Sequence, residues 1–367
     1  MTIRDVGPPE TYAKTPYRIF RGDAARDRIA TVASLRDSLG DPPIGLVSGY
    51  SFKTNPRPEL VSAARACGFY AETISGEELA WAVEEGFPPS QIIYNGPRPL
   101  REPADTPVGL AFADSVEALV RNVRRGVARL HGVRLRPTMI GSRFGIPVED
   151  DETLAALAGA LEPRTPFAVS FHARRGDFDG ADWRDVAGDV LGRAVALQES
   201  TRRPIVAFDI GGGWTPQEFD ERFAPDVEWL IDRLRADLPA CTSLIFEAGQ
   251  AVCTPSEALL TTVLELRERR GRREVVIDAG YPDWPEMHEY RHGMYAWREQ
   301  AWTALGRGPD RLLGRTCLEY DQIDGLRFPP NLAEGDRLLI TDTGSYDHSM
   351  AFDFARGRTP RRDGVET

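Results

Sequence analysis

From residue 44 to residue 249 the chain alternates short apolar runs with amphipathic stretches. Runs at 44–47, 69–74, 91–95, 108–112, 133–137, 167–171, 205–209 and 244–247 have the length and the Val, Ile and Phe content of buried strands, eight in all. Between them the apolar residues recur every three or four positions, predicting helices at 59–67, 76–85, 116–130, 183–197 and 226–238. In 116–130, Leu119, Val120, Val123 and Val127 share one side, and in 183–197 so do Val186, Val190, Ala194 and Leu197. Glycines punctuate the pattern: Gly68 and Gly86 close two helices, and Gly40 stops an earlier one predicted over 23–39.

Eight strands alternating with helices predict an α/β fold of parallel βα units, a closed (β/α)8 TIM-type barrel. An open doubly wound sheet also alternates in this way. After Gly249 the period changes from three or four to two, with strand patterns at 258–270, 273–278, 336–341 and 350–355. The expected organisation is a barrel over 23–249 and a mostly β domain, sandwich or barrel, built from 1–22 plus 250–367. A short strand ending at Phe20 belongs to the second domain.

Composition narrows the class of partner. The chain of 367 residues is 41% hydrophobic and 28% charged, with a net charge of −11. That balance predicts a globular protein with neither a nucleic-acid nor an anionic-membrane partner. No run nears the ~18 apolar residues of a membrane span, and the N-terminus has no signal-peptide core. Cys67, Cys241, Cys253 and Cys317 lie far apart with no metal-binding or disulfide spacing. A reduced, cytoplasmic location is expected.

The residues after each predicted strand bring in the chemistry, because barrel enzymes work at the strand C-terminal ends. Lys53 follows the first strand; an amine lowered in pKa there can attack a carbonyl and form a Schiff base. A solvated loop lysine is the plain alternative. Ser75-Gly-Glu-Glu78 follows the second and reads equally as a helix capping box. His172 ends the sixth. The seventh runs into Gly211, Gly212 and Gly213, whose N–H groups can close on a phosphate, although a glycine run is also an ordinary turn. Glu247 ends the eighth. Lysine, glycine loop, histidine and glutamate on one rim are the parts that hold pyridoxal 5′-phosphate. A carboxylate at the ring nitrogen keeps the ring an electron sink.

Motifs spaced along residues 15–355 then resemble one family. Thr15-Pro-Tyr-Arg-Ile-Phe20 is similar to its opening strand, and Tyr50-Ser-Phe-Lys-Thr-Asn-Pro56 to Y-x-x-K-x-N-P. Glu72-Thr-Ile-Ser-Gly-Glu-Glu-Leu79 is similar to D-x-x-S-x-x-E-L, and Ser142-Arg-Phe-Gly145 to S-K-F-G. Ser170-Phe-His172, Asp209 to Gly213 (D-x-G-G-G) and Glu247-Ala-Gly249 (E-P-G) come next in order. Cys317 with Asp321 (C-x-x-x-D) and Asp342-Thr-Gly-Ser-Tyr346 (D-x-G-x-Y) complete the series. The chain thus resembles the pyridoxal-phosphate-dependent ornithine, arginine, diaminopimelate and carboxynorspermidine decarboxylases, which join an alanine-racemase-type barrel to a β-domain. The resemblance implies that Lys53 carries the cofactor as an aldimine and that Glu247 pairs with its ring nitrogen. His172 stacks on the ring, Gly211, Gly212, Gly213 and Tyr346 bind the phosphate, and Arg134 adds to the polar surroundings. Decarboxylation through a quinonoid is implied, with Cys317 returning the proton from the partner subunit of a homodimer that shares its active sites.

Departures from the pattern bear on the substrate. Leu318 stands where enzymes that grip a distal ammonium carry Asp or Glu, and Gln250 replaces the arginine of E-P-G-R. Arg174 and Arg175 replace a small G-S pair and can face the phosphate, an anionic substrate or solvent. The expectation is an amino acid with a non-basic, acidic or conjugated side chain, free or carrier-bound. A basic substrate read in a shifted register by Glu319 or Asp321, or a racemase, is the alternative. His288-Glu-Tyr-Arg-His292 spells H-E-x-x-H, a zinc-binding pattern when helical. It falls in the predicted β region without a third ligand, so no metal is expected, and the nearby Trp284, Tyr290, Tyr295 and Trp297 read as packing or interface residues.

Overall fold

The first strand, β1 (Tyr17–Phe20), buries Ile19 and Phe20 and runs into α1 (Gly22–Leu39). The computed structural model describes residues 3, 6–12, 14–39, 44–97, 107–160, 162, 164–174, 182–355 and 363–365, so the predicted stop at Gly40 lies outside the described residues. The chain divides into two compact units, Arg28–Val252 and Met1–Asp27 with Cys253–Thr367; the division falls inside α1.

In the first unit the strands are β2 (Gly45–Ser51), β3 (Tyr70–Thr73), β4 (Ile92–Tyr94), β5 (Val108–Ala113), β6 (Ala128–Arg136), the short β7 (Ile146–Pro147), β8 (Phe167–Ser170), β9 (Ile205–Asp209) and β10 (Ser243–Glu247). Eight of them pair in parallel, in the order β5-β4-β3-β2-β10-β9-β8-β6, and β5 pairs with β6 to close the ring; β7 adds to the outside of β6. This is the (β/α)8 barrel, and closure leaves its strands no free edge. Ile93, Leu110, Phe112, Ala168, Ala207 and Ile245 meet inside it. The helices are α2 (Pro58–Ala66), α3 (Gly76–Glu84), α4 (Val116–Arg125), α5 (Asp151–Ala160), α6 (Trp183–Thr201), the single turn α7 (Pro216–Glu218), α8 (Ala224–Asp237) and α9 (Gln250–Cys253). Ser75 caps α3: its hydroxyl accepts the Glu78 N–H, while the Glu78 carboxylate accepts the N–H of Ile74, one residue before the cap, and not that of Ser75 as a capping box requires.

One predicted helix is corrected. The apolar spacing over 116–130 reads as continuous, but α4 ends at Gly126, which adopts φ 60° and bonds back to Asn122 and Val123. Ala128 and Leu130 then pair with Val108 and Leu110 of β5. Gly126 takes the left-handed cap that side chains with a Cβ resist, and parallel pairing with β5 draws the next residues into a strand. The helix α5 and the strand β7 have no counterpart in the sequence pattern.

The second unit is a nine-stranded sheet system: β11 (Glu257–Arg269), β12 (Arg272–Ile277), β13 (Met294–Arg298), β14 (Ala301–Ala304), β15 (Gly306–Leu313), β16 (Gln322–Arg327), β17 (Arg337–Thr341) and β18 (Asp363–Val365), with β1 paired to β11 and β18. Leu259, Val263, Val275, Ile277, Leu312 and Leu338 are among the residues of its core, and Trp284 is fully buried there. Trp297 and Trp302, cross-strand partners in the β13–β14 hairpin, meet edge to face at 5.1 Å. The strand expected at 350–355 is absent; those residues form turns and irregular backbone with Met350, Phe352 and Phe354 exposed. The H-E-x-x-H residues lie in a turn and the irregular backbone after it, not on a helix. His288 Nε2 faces the Tyr320 carbonyl, and His292 sits between the carbonyls of Thr341 and Glu286. Among the described residues no helix is long and apolar enough to cross a membrane.

Candidate active site

Parallel closure points every strand C-terminus of the barrel to one rim, and the polar residues of the sequence pattern collect there. Lys53 lies two residues past β2. Its Nζ lies 2.6 Å from Glu72 Oε2 on β3 and 3.8 Å from Glu247 Oε2 at the end of β10. Glu72 is fully buried; Oε2 also accepts the Ser51 hydroxyl at 2.5 Å, and Oε1 has no partner among the described residues. Burial pushes its carboxyl above the ordinary range, Glu247 adds to that, and Lys53 opposes both. Glu247 Oε1 accepts the Asn95 side-chain amide at 2.7 Å, from the residue just after β4.

Asp209 closes β9. Its Oδ1 accepts the Gly211 N–H at 2.8 Å, and Oδ2 is buried without a partner among the described residues. Burial first, then the neighbouring Glu247, hold this carboxyl well above its usual value. Three buried carboxylates therefore surround one amine, a cluster that favours a bound protonated or cationic group.

The glycine run is required by its surroundings. Gly211 and Gly213 have φ of 66° and 98°, and a Cβ on Gly212 would collide with the Glu247 carbonyl oxygen. Gly211 O accepts the Glu247 N–H at 2.7 Å, tying the loop to β10. None of the hydrogen bonds among the described residues uses the N–H of Gly212 or Gly213. His172 borders the same loop: a Cβ on Gly211 would stand 2.9 Å from His172 Cδ2.

The other residues singled out in the sequence lie on several elements of the two units. Arg134 lies within β6, its guanidinium 5.2 Å from the Phe144 ring centre. Gln250 is buried at the start of α9. Arg175 lies outside the described residues. In the second unit Cys317 is exposed and Leu318 half-buried. Asp321 is buried and engaged through both oxygens. Oδ1 accepts the Tyr281 N–H, Oδ2 accepts the Thr316 N–H and hydroxyl, and the buried side chain anchors the loop that carries Cys317. Tyr346 is half-buried with φ 63° and stacks on Tyr290 at 6.2 Å. Glu72, Asn95 and Asp209 were not singled out as site residues from sequence. Each is a polar residue in, or directly after, the last positions of an apolar strand, which is the signal that finds them.

The residues of the barrel unit fit pyridoxal phosphate. They offer a rim amine, an excess of buried carboxylate for a protonated ring nitrogen, and a glycine loop with N–H groups to spare. Lys53, Glu247, His172 and the three glycines are the groups that could hold it.

Comparison with known proteins agrees. Residues 42–254 match the family model described as pyridoxal-dependent decarboxylase, pyridoxal binding domain. The lysine/ornithine decarboxylase of Selenomonas ruminantium is 26% identical over 325 residues, 83% of this chain and 80% of that protein. Among solved structures, a diaminopimelate decarboxylase from M. jannaschii superposes with a TM-score of 0.80 at 19% identity, over 97% of this chain and 88% of that one. The arginine decarboxylase of Paramecium bursaria Chlorella virus, bound to agmatine, gives 0.78 at 18%, over 97% and 98%. With more than half of its length inside the family model, this chain belongs to the pyridoxal-dependent decarboxylases and is a pyridoxal-phosphate-dependent amino-acid decarboxylase.

Proposed function

We propose that the substrate is an amino acid whose side chain is not a simple cation, acidic or conjugated in character, and that the active enzyme is a homodimer. The observation that carries the substrate reading is the loop after β15. Leu318 brings no charge to it, Glu319 is exposed, and the Asp321 oxygens already accept from Tyr281 and from Thr316. A desolvated ammonium left without a carboxylate costs several kcal/mol, on the order of 3–5.

Lys53 Nζ would hold the cofactor through its aldehyde, and Glu247 would keep a proton at the ring nitrogen. Asn95 fixes the carboxylate plane of Glu247 through Oε1. Glu72 accepts a hydrogen bond from the lysine amine and keeps it oriented. His172 would cover one ring face and limit water there, while Gly211, Gly212 and Gly213 would bind the phosphate. Arg134 adds positive potential at the rim. Bound pyridoxal phosphate supplies the electron sink for the pair left when the bond from Cα to the carboxylate breaks. Carbon dioxide leaves, and Cys317 of the partner subunit delivers a proton to that carbon from Sγ.

Carbon dioxide release tests the substrate reading. Across a panel of neutral, acidic, conjugated and basic L- and D-amino acids, kcat/KM is expected to be highest outside lysine, ornithine, arginine and diaminopimelate. Turnover of free lysine or ornithine at 1 s⁻¹ or more, about the lower end of ordinary enzymatic rates, would overturn it.

A further inference from the structure

The register of the barrel sets two loops side by side. Ser170 pairs with Asp209, and the Phe171 N–H donates to the Asp209 carbonyl at 2.9 Å, so residues 171–174 leave the rim alongside 210–213. His172 therefore borders Gly211, and two residues further on Arg174 borders Gly213. A Cβ on Gly213 would stand 2.7 Å from Arg174 Cγ, 3.3 Å from its Cα and 3.4 Å from its Cβ. The stem of an arginine thus lies on the third glycine of the run, and it is half-buried there.

Charge gives that position a purpose. A phosphate monoester brings nearly two negative charges. Here it enters a rim whose buried carboxyl groups, Glu72, Asp209 and Glu247, offer it no positive charge. Among the described residues, Lys53 is ion-paired with Glu72, and the Arg134 guanidinium packs over the Phe144 ring. Backbone N–H groups at a glycine loop bind phosphate but carry no net charge, so a nearby guanidinium is what balances the dianion.

We propose that Arg174 is a phosphate-binding residue of the cofactor site, its guanidinium closing over the phosphate held by Gly211, Gly212 and Gly213. The proposal rests on the reading of that loop as the phosphate site. Arginine suits the task because its planar fork can grip two phosphate oxygens at once, which lysine cannot.

The test is equilibrium binding to the full-length apoenzyme, read by absorbance and fluorescence rather than by turnover. Wild type, Arg174→Ala and Arg174→Lys are each titrated with pyridoxal phosphate and with pyridoxal, which lacks the phosphate. Wild type is expected to bind the phosphate ester far more tightly than pyridoxal. Arg174→Ala should weaken pyridoxal phosphate by roughly 10- to 100-fold and leave pyridoxal unchanged, with Arg174→Lys between the two. If wild type binds both compounds equally, the phosphate-loop reading itself fails. If wild type discriminates and Arg174→Ala discriminates equally well, the loop stands and the role of Arg174 is refuted. Equal weakening of both compounds in a variant with an unaltered circular dichroism spectrum also refutes it, because the residue then shapes the site without touching phosphate.

Discussion

Lys53 is three-quarters buried, and its charge is tolerated because Glu72 lies at hydrogen-bond distance with Glu247 behind it. An alanine there removes the attachment point for an aldehyde but leaves the barrel strands untouched. Purified Lys53→Ala is expected to lose both the yellow colour of the lysine-bound cofactor and all measurable decarboxylation. Retention of both would end the reading of this site. A second residue makes a pH prediction. Asp347 is buried; its Oδ1 accepts the Glu286 N–H, and its Oδ2 has no hydrogen-bond partner among the described residues. Burial pushes its carboxyl up to about 8, with Glu286 and Glu257 adding to the rise and Arg18 opposing it. Unfolded, an aspartate titrates at about 3.9, so the folded chain binds the proton more tightly between these values. The stability this group contributes is full below about pH 4 and is lost as pH rises to about 8. Asp347→Asn keeps the shape and cannot ionise. Its melting temperature relative to wild type should therefore climb between about pH 5 and about pH 9. A constant offset across that range would show that Asp347 does not titrate there.

At the scale of elements, two glycines that look alike in sequence differ in what surrounds them. A Cβ on Gly212 meets the backbone carbonyl of Glu247, which cannot swing aside as a side chain could. Gly212→Ala is expected to cost about 1–3 kcal/mol in denaturant unfolding. Gly76 opens α3 with nothing near its Cβ position, and its φ lies outside the left-handed range. Gly76→Ala should be neutral or stabilising by up to about 1 kcal/mol. Equal costs at the two positions would contradict the close approach of the β9 loop to β10. The limits of pattern reading also show here. Val123, Val127 and Leu130 keep a helical spacing across Gly126, yet β5 claims Ala128 and Leu130 as parallel partners. The strands β13 to β16 were not legible: Gly306, Gly308 and Pro309 interrupt the pattern of β15, and β13, β14 and β16 are only four to six residues long. The sheet partners, not their own apolar period, hold them in line.

For the whole molecule, the proposed homodimer predicts complementation. Lys53→Ala and Cys317→Ala chains, each inactive or nearly so, should regain about a quarter of wild-type activity when unfolded and refolded as an equal mixture. Half of the resulting dimers then hold one site in which both residues are intact. Activity no greater than the sum of the separate variants would place both residues of a site on the same chain. The alternation of strands and helices, the rim residues Lys53, His172 and Glu247, and the glycine run were all readable in the chain. Side-chain period and turn chemistry are local properties and need no partner. Tertiary structure alone decided which strands close the ring, and hence that Glu72, Asn95 and Asp209 join Lys53 and Glu247 at one rim. It likewise decided that Asp321 anchors a loop, and that the histidines of H-E-x-x-H point to backbone carbonyls. Those outcomes depend on which groups a folded chain brings within hydrogen-bond reach, and residues as distant as Asn95 and Glu247 share no local signal that could reveal it.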